Sequence, residues 1–568
     1  MELKTFDFDQ SGCDLAGMTQ RGKNWPVVYL IHNKNEMYVG ETNSFQNRFR
    51  QHLDNQERAS LTTISFVDDE EFNKSAVLDI EQGLIRLCGA DGKFSLQNKN
   101  AGQSGMHDYF QRNKYKEKIP EIWEKMSEKN LTIHSYDELV NSNLFKYSPY
   151  TTPTTEQNDV CFSVMQQILE SLQSGKSGTS IVYGSAGTGK TIVAVNIVYT
   201  LINILWMNVD DDVDDGDKWQ KLIKDWKDYV RNHRAPRIAF VVPMQSLNAT
   251  LTEVFKEVGG KQMSGIVMSP YTVVNEPYDV VIVDESHRLK KRKSLAGGFE
   301  FKMFDECCEK LGLDPNKSNQ LEWIVKQSRH RVLFYDPAQT IKPADITREE
   351  YNNAIDGSFM QKNTLRSQMR CLGGNDFIDY VNSMFNLETV PKKTFGEYDI
   401  KVFDDVDQMV QKIKSKDKQI GLCRVLAGYS WKWVTKGQPV QQIIAGKLFD
   451  IVIGPYHYYW NTTDKNWIIS ENAVNEVGCI HTSQGYDLNY VGLIFGNEID
   501  WDERKNCFII NEKEFYDTKV KMDSPIRQIQ QHIINAYKVM ITRGIKGCYI
   551  YACKPGMQKY LKKWFGKL

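Results

Sequence analysis

The stretch IVYGSAGTGKT, Ile181 to Thr191, sets a short apolar run directly before G-x-x-x-x-G-K-T and a helical pattern directly after it. Strand, tight loop and helix form the context in which such a loop holds phosphate. Glycines let the backbone N–H groups of Gly184, Ser185, Ala186, Gly187, Thr188 and Gly189 converge on anionic oxygens, and the start of the next helix adds a favourable dipole. Lys190 neutralises charge there, and the Thr191 hydroxyl binds the magnesium (Mg2+) of a nucleoside triphosphate, ATP in this reading. A second stretch, YDVVIVDESHRL from Tyr278, ends a buried-strand run in two carboxylates. Ligands of open α/β sheets sit at the carboxyl ends of central strands. Asp284 is thus placed to hold the magnesium and Glu285 to orient or deprotonate the attacking water.

The same alternation runs through most of the chain. SIVYG, IAFVVP, DVVIVD and HRVLFYD, then IGLCRVLAG, VGLIFG and GCYIYAC, are short β-branched runs separated by helical segments. They predict parallel sheets with helices on both faces, in two α/β domains over 150–360 and 361–568. Upstream, WPVVYLIHNKNEMYVGET reads as a hairpin with HNKNE as its loop. It opens a small α+β domain over 1–105 that closes in the Asn, Gly and Ser cluster LQNKNAGQSG. The charged stretch 106–149 reads as a helical connector, and the acidic VDDDVDDGD, 209–217, as an exposed insertion without chemistry. At 568 residues the chain exceeds what one hydrophobic core can serve.

Apolar residues make up 41% of the chain and charged residues 25%, the balance of an ordinary globular protein with no membrane partner. The longest apolar run, Thr191 to Val209, contains Asn196, Thr200 and Asn203 and reads as a buried helix. The N-terminal residues lack a leader's apolar segment, and the eleven cysteines fall in no zinc or disulfide spacing, so a cytoplasmic setting is expected. A net charge of -1 removes whole-chain attraction to nucleic acid and leaves any such binding to local grooves. The basic runs HRLKKRKS (287–294) and KKWFGKL read, by themselves, as solvated surface.

In ETNSFQNRFRQHL, Arg48 and His52 stand four apart, on one side of a helix beginning near Ser44, with Phe45 and Phe49 anchoring it. In SAVLDIEQGLIRLC, Glu81 falls within an apolar stripe of Val77, Leu84, Ile85 and Cys88. A carboxylate sent toward a core needs a counter-charge, because burying it unpaired costs several kcal/mol. A divalent metal or an internal Glu–Arg pair supplies one.

On these residues the first hundred positions resemble the GIY-YIG nuclease family. VVY and YVG stand for its two motif elements, with Val27 where the family carries glycine, and Arg48, His52, Glu81 and Asn98 fall at its later positions. The resemblance implies one metal, Mg2+ or Mn2+, on Glu81, with Tyr29 helping to activate a water. It also implies Tyr38 hydrogen-bonding near the attacked phosphate and Arg48 stabilising its charge. From Tyr150 onward the chain resembles a superfamily 1 helicase-type motor of the kind found in Schlafen proteins, which implies two RecA-like parallel-sheet domains. Carried onto this sequence, that resemblance makes Gln157 of TPTTEQ an adenine reader and FVVPMQSLNATL a nucleic-acid contact. Asp336 and Gln339 of LFYDPAQTI become sensors of the terminal phosphate. Arg370 of LRSQMRC and Arg543 of AYKVMITRGIKG would reach the nucleotide from the second lobe, and His481, Thr482, Ser483 and Gln484 would touch both phosphate and strand. An arginine brought across a cleft stabilises the transferred phosphoryl group by several kcal/mol, so that closure depends on ATP.

Together these readings imply an ATP-dependent nucleic-acid motor, DNA-directed, coupled to a metal-dependent endonuclease and suited to defence against phage. Two rival readings are an ATP-gated nuclease switch that never translocates and a nucleic-acid-binding scaffold with an inactive nuclease domain. Homo-oligomer formation stays open. Trp431, Trp433, Tyr458, Tyr459 and Trp460 are candidates for stacking on bases, with core packing expected for most of them.

Overall fold

The computed structural model describes the chain except for residues 99–113, 116, 143–144, 146, 148–152, 186, 205–217, 294, 296, 337–338, 340–343, 356–358, 369–370, 464–466, 471, 484–487, 524 and 567–568. By its contacts the chain divides into two compact units. One comprises 1–166, 191–235 and 250–266, the other 167–190, 236–249 and 267–568.

The first unit holds a five-stranded sheet of order β1-β4-β2-β3-β5. Its strands are β1 (Glu2–Asp7), β2 (Val27–His32), β3 (Glu36–Thr42), β4 (Thr63–Asp68) and β5 (Ser95–Leu96). The expected hairpin is β2 and β3, paired antiparallel with Tyr29 opposite Gly40 and Ile31 opposite Tyr38. Asn33 shapes its turn by accepting, through Oδ1, the amides of Asn35 and Glu36 at 2.7 Å each. Side chains alternate across a strand, so β2 serves two cores. Val28 and Leu30 pack with helix α3 (Lys74–Asp91), while Val27, Tyr29 and Ile31 pack with α2 (Phe45–Leu53), whose Phe45 and Phe49 are fully buried. Helix α1 (Gln10–Gly17) packs against α2. Two connector helices, Lys118–Glu128 and Tyr136–Asn141, close the α3 side through Ile122, Trp123, Met126 and Leu139. The helix Lys190–Asn203 adds Tyr199 to that same core.

The second unit contains two larger sheets. One is six-stranded, wholly parallel, of order β11-β6-β10-β9-β7-β8. It is built from β6 (Gly178–Gly184), β7 (Ile238–Val241), β8 (Val267–Met268), β9 (Tyr278–Val283), β10 (Ser328–Tyr335) and β11 (Phe359–Leu365). The four strands expected from sequence are β6, β7, β9 and β10, and β9 is buried along its whole length, as a central parallel strand must be. Strand β11 brings residues on both sides of position 360 into this sheet.

The other sheet has the order β12-β20-β17-β13-β16-β15-β14. Its strands are β12 (Asp399–Val402), β13 (Cys423–Ala427), β14 (Ile451–Ile453), β15 (Tyr456–Trp460), β16 (Glu476–Gly478), β17 (Leu488–Phe495) and β20 (Gly544–Ala552). It is parallel except where β14 returns beside β15. A two-stranded ribbon, β18 (Ile499–Asp502) with β19 (Cys507–Ile510), lies outside it. Trp431, Tyr458 and Trp460 pack into its core, as expected for most of those aromatics.

Among the described residues no helix is long and apolar enough to cross a membrane, and all eleven cysteines are unpaired. The acidic insertion 209–217 lies outside the described residues. The basic run from His287 is not the solvated surface expected. His287 and Arg288 are buried, and Arg288, Lys290, Lys291 and Arg292 pair with Asp345, Glu300, Glu350 and Asp305 at 2.6–3.1 Å. Those carboxylates come from later in the chain, which is why the run looked unpaired in sequence.

Candidate functional site

Strands β6, β10 and β9 are neighbours in the parallel sheet, so the loops after their carboxyl ends emerge side by side. The loop after β6 turns through Gly187 at φ 86° and Gly189 at φ 80°, conformations that cost a side-chain-bearing residue dearly. The carboxamide of Gln368 lies against Gly187. Lys190 Nζ donates to the carbonyls of Gly184 (2.7 Å) and Ser185 (3.0 Å) and lies 3.6 Å from Asp336. The Thr188 hydroxyl ties the turn by donating to Ser185 O at 3.0 Å.

After β9, Asp284 is fully buried and accepts the Glu285 amide through Oδ1 at 2.9 Å. Glu285 itself adopts φ 51° and ψ 42°, a left-handed conformation for a residue that is not glycine. Its carboxylate lies 3.1 Å from His287 Nε2. Burial pushes the Glu285 carboxyl up, but His287, Lys190 and Arg288 outweigh it and hold the group below the usual carboxylate range. After β10, the Asp336 amide donates to His287 Nδ1 at 3.3 Å, and Gln339 donates to Asp336 Oδ2 at 2.7 Å. Lys190, Glu285, His287, Asp336 and Gln339 thus form one polar chain across three strand ends. The member not singled out in the sequence is His287, whose place between two loops no linear spacing reveals.

The remaining nucleotide residues make contacts of their own. Gln157 and Thr154 cap the helix Thr155–Ser174 reciprocally, with Thr154 N on Gln157 Oε1 at 3.0 Å and Gln157 N on Thr154 Oγ1 at 3.3 Å. Thr191 follows Lys190 in the first turn of its helix. Ala186, Arg370 and Gln484 lie outside the described residues. Arg543 is buried between the helix Ile526–Ile541 and β20. After β16, His481 pairs with Asp517 at 3.3 Å, Thr482 donates to Asn461 Oδ1 at 2.8 Å, and Ser483 donates to Cys479 O at 2.9 Å.

In the small sheet, Tyr29, Tyr38, Arg48 and His52 meet on the α2 side. The Tyr29 hydroxyl is 2.8 Å from His52 Nε2 and accepts from Arg48 Nε at 3.3 Å. Burial, with the charges of Arg48 and Arg58, pulls His52 down to about 3, while burial first and Tyr38 next push the Tyr29 phenol up. The phenol oxygen thus bridges the Arg48 guanidinium and the His52 imidazole. Gly40 lies under Tyr29, whose ring leaves no room for a Cβ. Arg58, which no sequence signal marked, stacks 4.1 Å over the Tyr38 ring and donates to Gln97 Oε1 at 2.7 Å. Asn98 accepts Val39 N at 3.0 Å and donates to Val39 O at 2.8 Å.

Glu81 sits in α3 as expected, 8% exposed. Burial, with the nearby Glu41 carboxylate, pushes it up to about 8, against the weaker pull of Lys74 and Arg48. Glu41 is itself paired with Lys74. A buried carboxyl beside a second carboxylate favours an added cation, so the donor set fits a divalent ion. Among the described residues no group of three or more His, Cys, Asp or Glu is arranged to hold a metal.

Against known families, the model of the Schlafen group 3 DNA/RNA helicase domain matches residues 177–554 and that of the GIY-YIG catalytic domain matches residues 26–83. An uncharacterized protein of Saccharomyces cerevisiae is 28% identical over 312 residues, covering 50% of this chain and 64% of that protein, so less than two thirds of the relative is spanned. Among solved structures, the Pif1 helicase from Candida albicans is 12% identical with a TM-score of 0.26, over 73% of this chain and 99% of that one. The Bacteroides Pif1 bound to ssDNA is 12% identical with a TM-score of 0.25, over 72% of this chain and 94% of that one. Overlays as loose as these two carry no argument, and the fold stands on the sheet topology.

Proposed function

This chain belongs to the Schlafen group 3 DNA/RNA helicase-domain family and carries a GIY-YIG domain ahead of that region, and on that premise we propose that it is an ATP-driven nucleic-acid motor tethered to a metal-dependent endonuclease. The reading assigns cutting to residues 1–105, a linking role to 106–149, and the motor to two lobes over 150–360 and 361–568, acting on DNA in the cytoplasm as a defence against phage. What carries it is the polar chain at the ends of β6, β9 and β10, where a lysine, two acidic loops and a glutamine face one phosphate loop.

In this reading Gly184 to Gly189 cradle the phosphates of ATP, Lys190 leaves its loop carbonyls for the terminal phosphates, and Thr191 with Asp284 holds the accompanying Mg2+. Gln157 reads the adenine. Glu285 orients the attacking water, and its depressed carboxyl range keeps it ionised as a base. Asp336 and Gln339 sense the terminal phosphate, and His287 links that sensing to Glu285. Arg370 and Arg543 serve as charge-stabilising groups from the second lobe.

For cutting, an ion at Glu81, Mg2+ or Mn2+, supplies positive charge beside the scissile phosphate. Tyr29, set between Arg48 and His52, helps to activate the attacking water, and Arg48 steadies the phosphate's growing charge. Tyr38, held by Arg58, bonds the same phosphate. Asn98 fixes β3 between Tyr38 and Gly40.

The test is ATP hydrolysis and strand cleavage by the wild type, Lys190→Ala and Glu81→Ala, each with single-stranded DNA, duplex DNA and RNA. The polymer that stimulates hydrolysis identifies the track. Lys190→Ala is expected to abolish hydrolysis, and Glu81→Ala to abolish cleavage while sparing hydrolysis. Hydrolysis unresponsive to every polymer would sink the motor.

A further inference from the structure

Arg58 closes the short helical turn Gln56–Arg58 that follows α2. Its backbone is tied on both sides, the amide donating to Asn55 O at 2.9 Å and the carbonyl accepting Leu61 N at 3.0 Å. From there the side chain turns inward, leaving the residue 8% exposed. The guanidinium lies 4.1 Å over the Tyr38 ring and donates through Nη1 to Gln97 Oε1 at 2.7 Å. Its Nε is buried and has no acceptor among the described residues.

A guanidinium cannot shed its proton to escape such a setting. An enclosed charge without a counter-ion is strongly destabilising, and stacking on one ring offsets only part of that. Among the described residues no carboxylate pairs with Arg58, nor with Arg48, which is bonded to the Tyr29 hydroxyl and to Gln51 Oε1. Burial first, then the charges of Arg48 and Arg58, keep the His52 imidazole neutral, so both cations bear on one ring. The acidic residues around the site are engaged in other ways. Glu41 pairs with Lys74, Glu36 accepts from Ser60 Oγ at 2.8 Å, from Asn33 Nδ2 at 3.3 Å and from Gln97, and burial with the Glu41 charge pushes Glu81 up to about 8. Tyr29, Tyr38 and His52 are therefore flanked by two positive charges that no ion pair neutralises.

We propose that Arg58 binds a backbone phosphate of the nucleic-acid strand, next to the scissile phosphate that Arg48 steadies. A strand presents its phosphates in series, so two arginines beside one imidazole can take two consecutive anions. The guanidinium fork suits phosphate oxygens, and Gln97 takes only one of its donors. Tyr38 and Gln97, the two residues Arg58 touches, are half-buried, so a strand on this surface needs only side-chain shifts to reach it. An arginine buried purely for structure is expected to carry a carboxylate, as Arg288 carries Asp345 at 3.1 Å. The inference rests on the nuclease reading proposed above and adds a second strand contact to it.

The experiment follows cleavage of an end-labelled DNA oligonucleotide by the full chain with Mn2+ and without ATP, once the cut has been mapped. Single phosphates flanking the cut are then replaced, one at a time, by uncharged methylphosphonate. In the wild type one such replacement is expected to raise KM roughly ten-fold or more, the scale of a lost hydrogen bond to a charged group, with kcat little changed. Arg58→Ala should raise KM on the unmodified strand by a similar factor and should no longer respond to that replacement, its partner being already gone. Arg58→Lys, which keeps the charge without the fork, should respond in part, and it carries the comparison if Arg58→Ala fails to fold. Wild-type cleavage indifferent to every flanking replacement overturns the proposal. So do variants that lose as much at the sensitive position as the wild type does, because Arg58 would then act only by holding Tyr38. Absence of cleavage by the wild type on every strand tried overturns the nuclease reading itself, and the proposal with it.

Discussion

Glu285 sits in the left-handed region at φ 51°, and a non-glycine residue there stores on the order of 1 kcal/mol or more. The strain aims its carboxylate at His287 and the phosphate loop, so Glu285→Gln should keep the shape and lose roughly 10²-fold or more in ATP turnover, read as a fall in kcat with nucleotide binding intact. In the small domain Tyr29→Phe removes only the hydroxyl between Arg48 and His52. Cleavage should fall about 10²–10⁴-fold, and an unchanged rate would remove the phenol from water activation. Glu81 gives a prediction in pH. Its folded value near 8 exceeds its ordinary 4.5, so the folded chain retains a proton that the unfolded chain releases across that window. The contribution of the neutral carboxyl is whole below 4.5 and is lost as pH rises toward 8. Metal-free wild type should therefore lose melting temperature over that interval relative to Glu81→Gln, and Mn2+ should restore it at the alkaline end. Arg48, His52 and Glu81 were legible in the sequence because helix periodicity puts each on a definite face. Arg58 and His287 were not, since each acts on a residue from another element.

Strand β3 is held in place by a substitute. Strand β5 covers only Glu36 and Met37 of its edge, and the Asn98 carboxamide then offers Val39 one donor and one acceptor, as a further peptide group would. Asn98→Ala leaves both Val39 groups without these partners in a buried setting, a loss of about 2 kcal/mol or more. Urea titration of the first unit should show it, and Asn98→Asp should recover only part. Gly40→Ala is expected to be worse for function than for stability, because the Tyr29 ring must tilt away from His52. At this scale the sequence was informative wherever apolar runs were long. It marked β6, β7, β9, β10, β13, β17 and β20, and it missed the short β8, β14 and β16, whose two or three residues show no period. Strand β11, FMQKNTL, is polar and pairs on one side only, so neither hydrophobicity nor alternation announced it.

Across the whole chain, order of motifs was readable but grouping was not. The phosphate loop and both acidic loops follow from strand patterning, whereas the helices of 191–235 and 250–266 cluster with the N-terminal residues, a tertiary choice no local pattern encodes. If ATP turnover governs cutting, Lys190→Ala should leave basal cleavage of a single strand intact while abolishing its stimulation by ATP; equal cleavage with and without ATP in the wild type would uncouple the two activities. The four cations from Arg288 to Arg292, each matched to its own carboxylate, have a consequence for kinetics. A polyanion drifting nearby meets no large unbalanced field from that loop, so the capture rate should rise only modestly on dilution of the buffer. Charge-reversal engineering of those positions, meant to tune adhesion, would unfasten the loop behind Glu285 and His287.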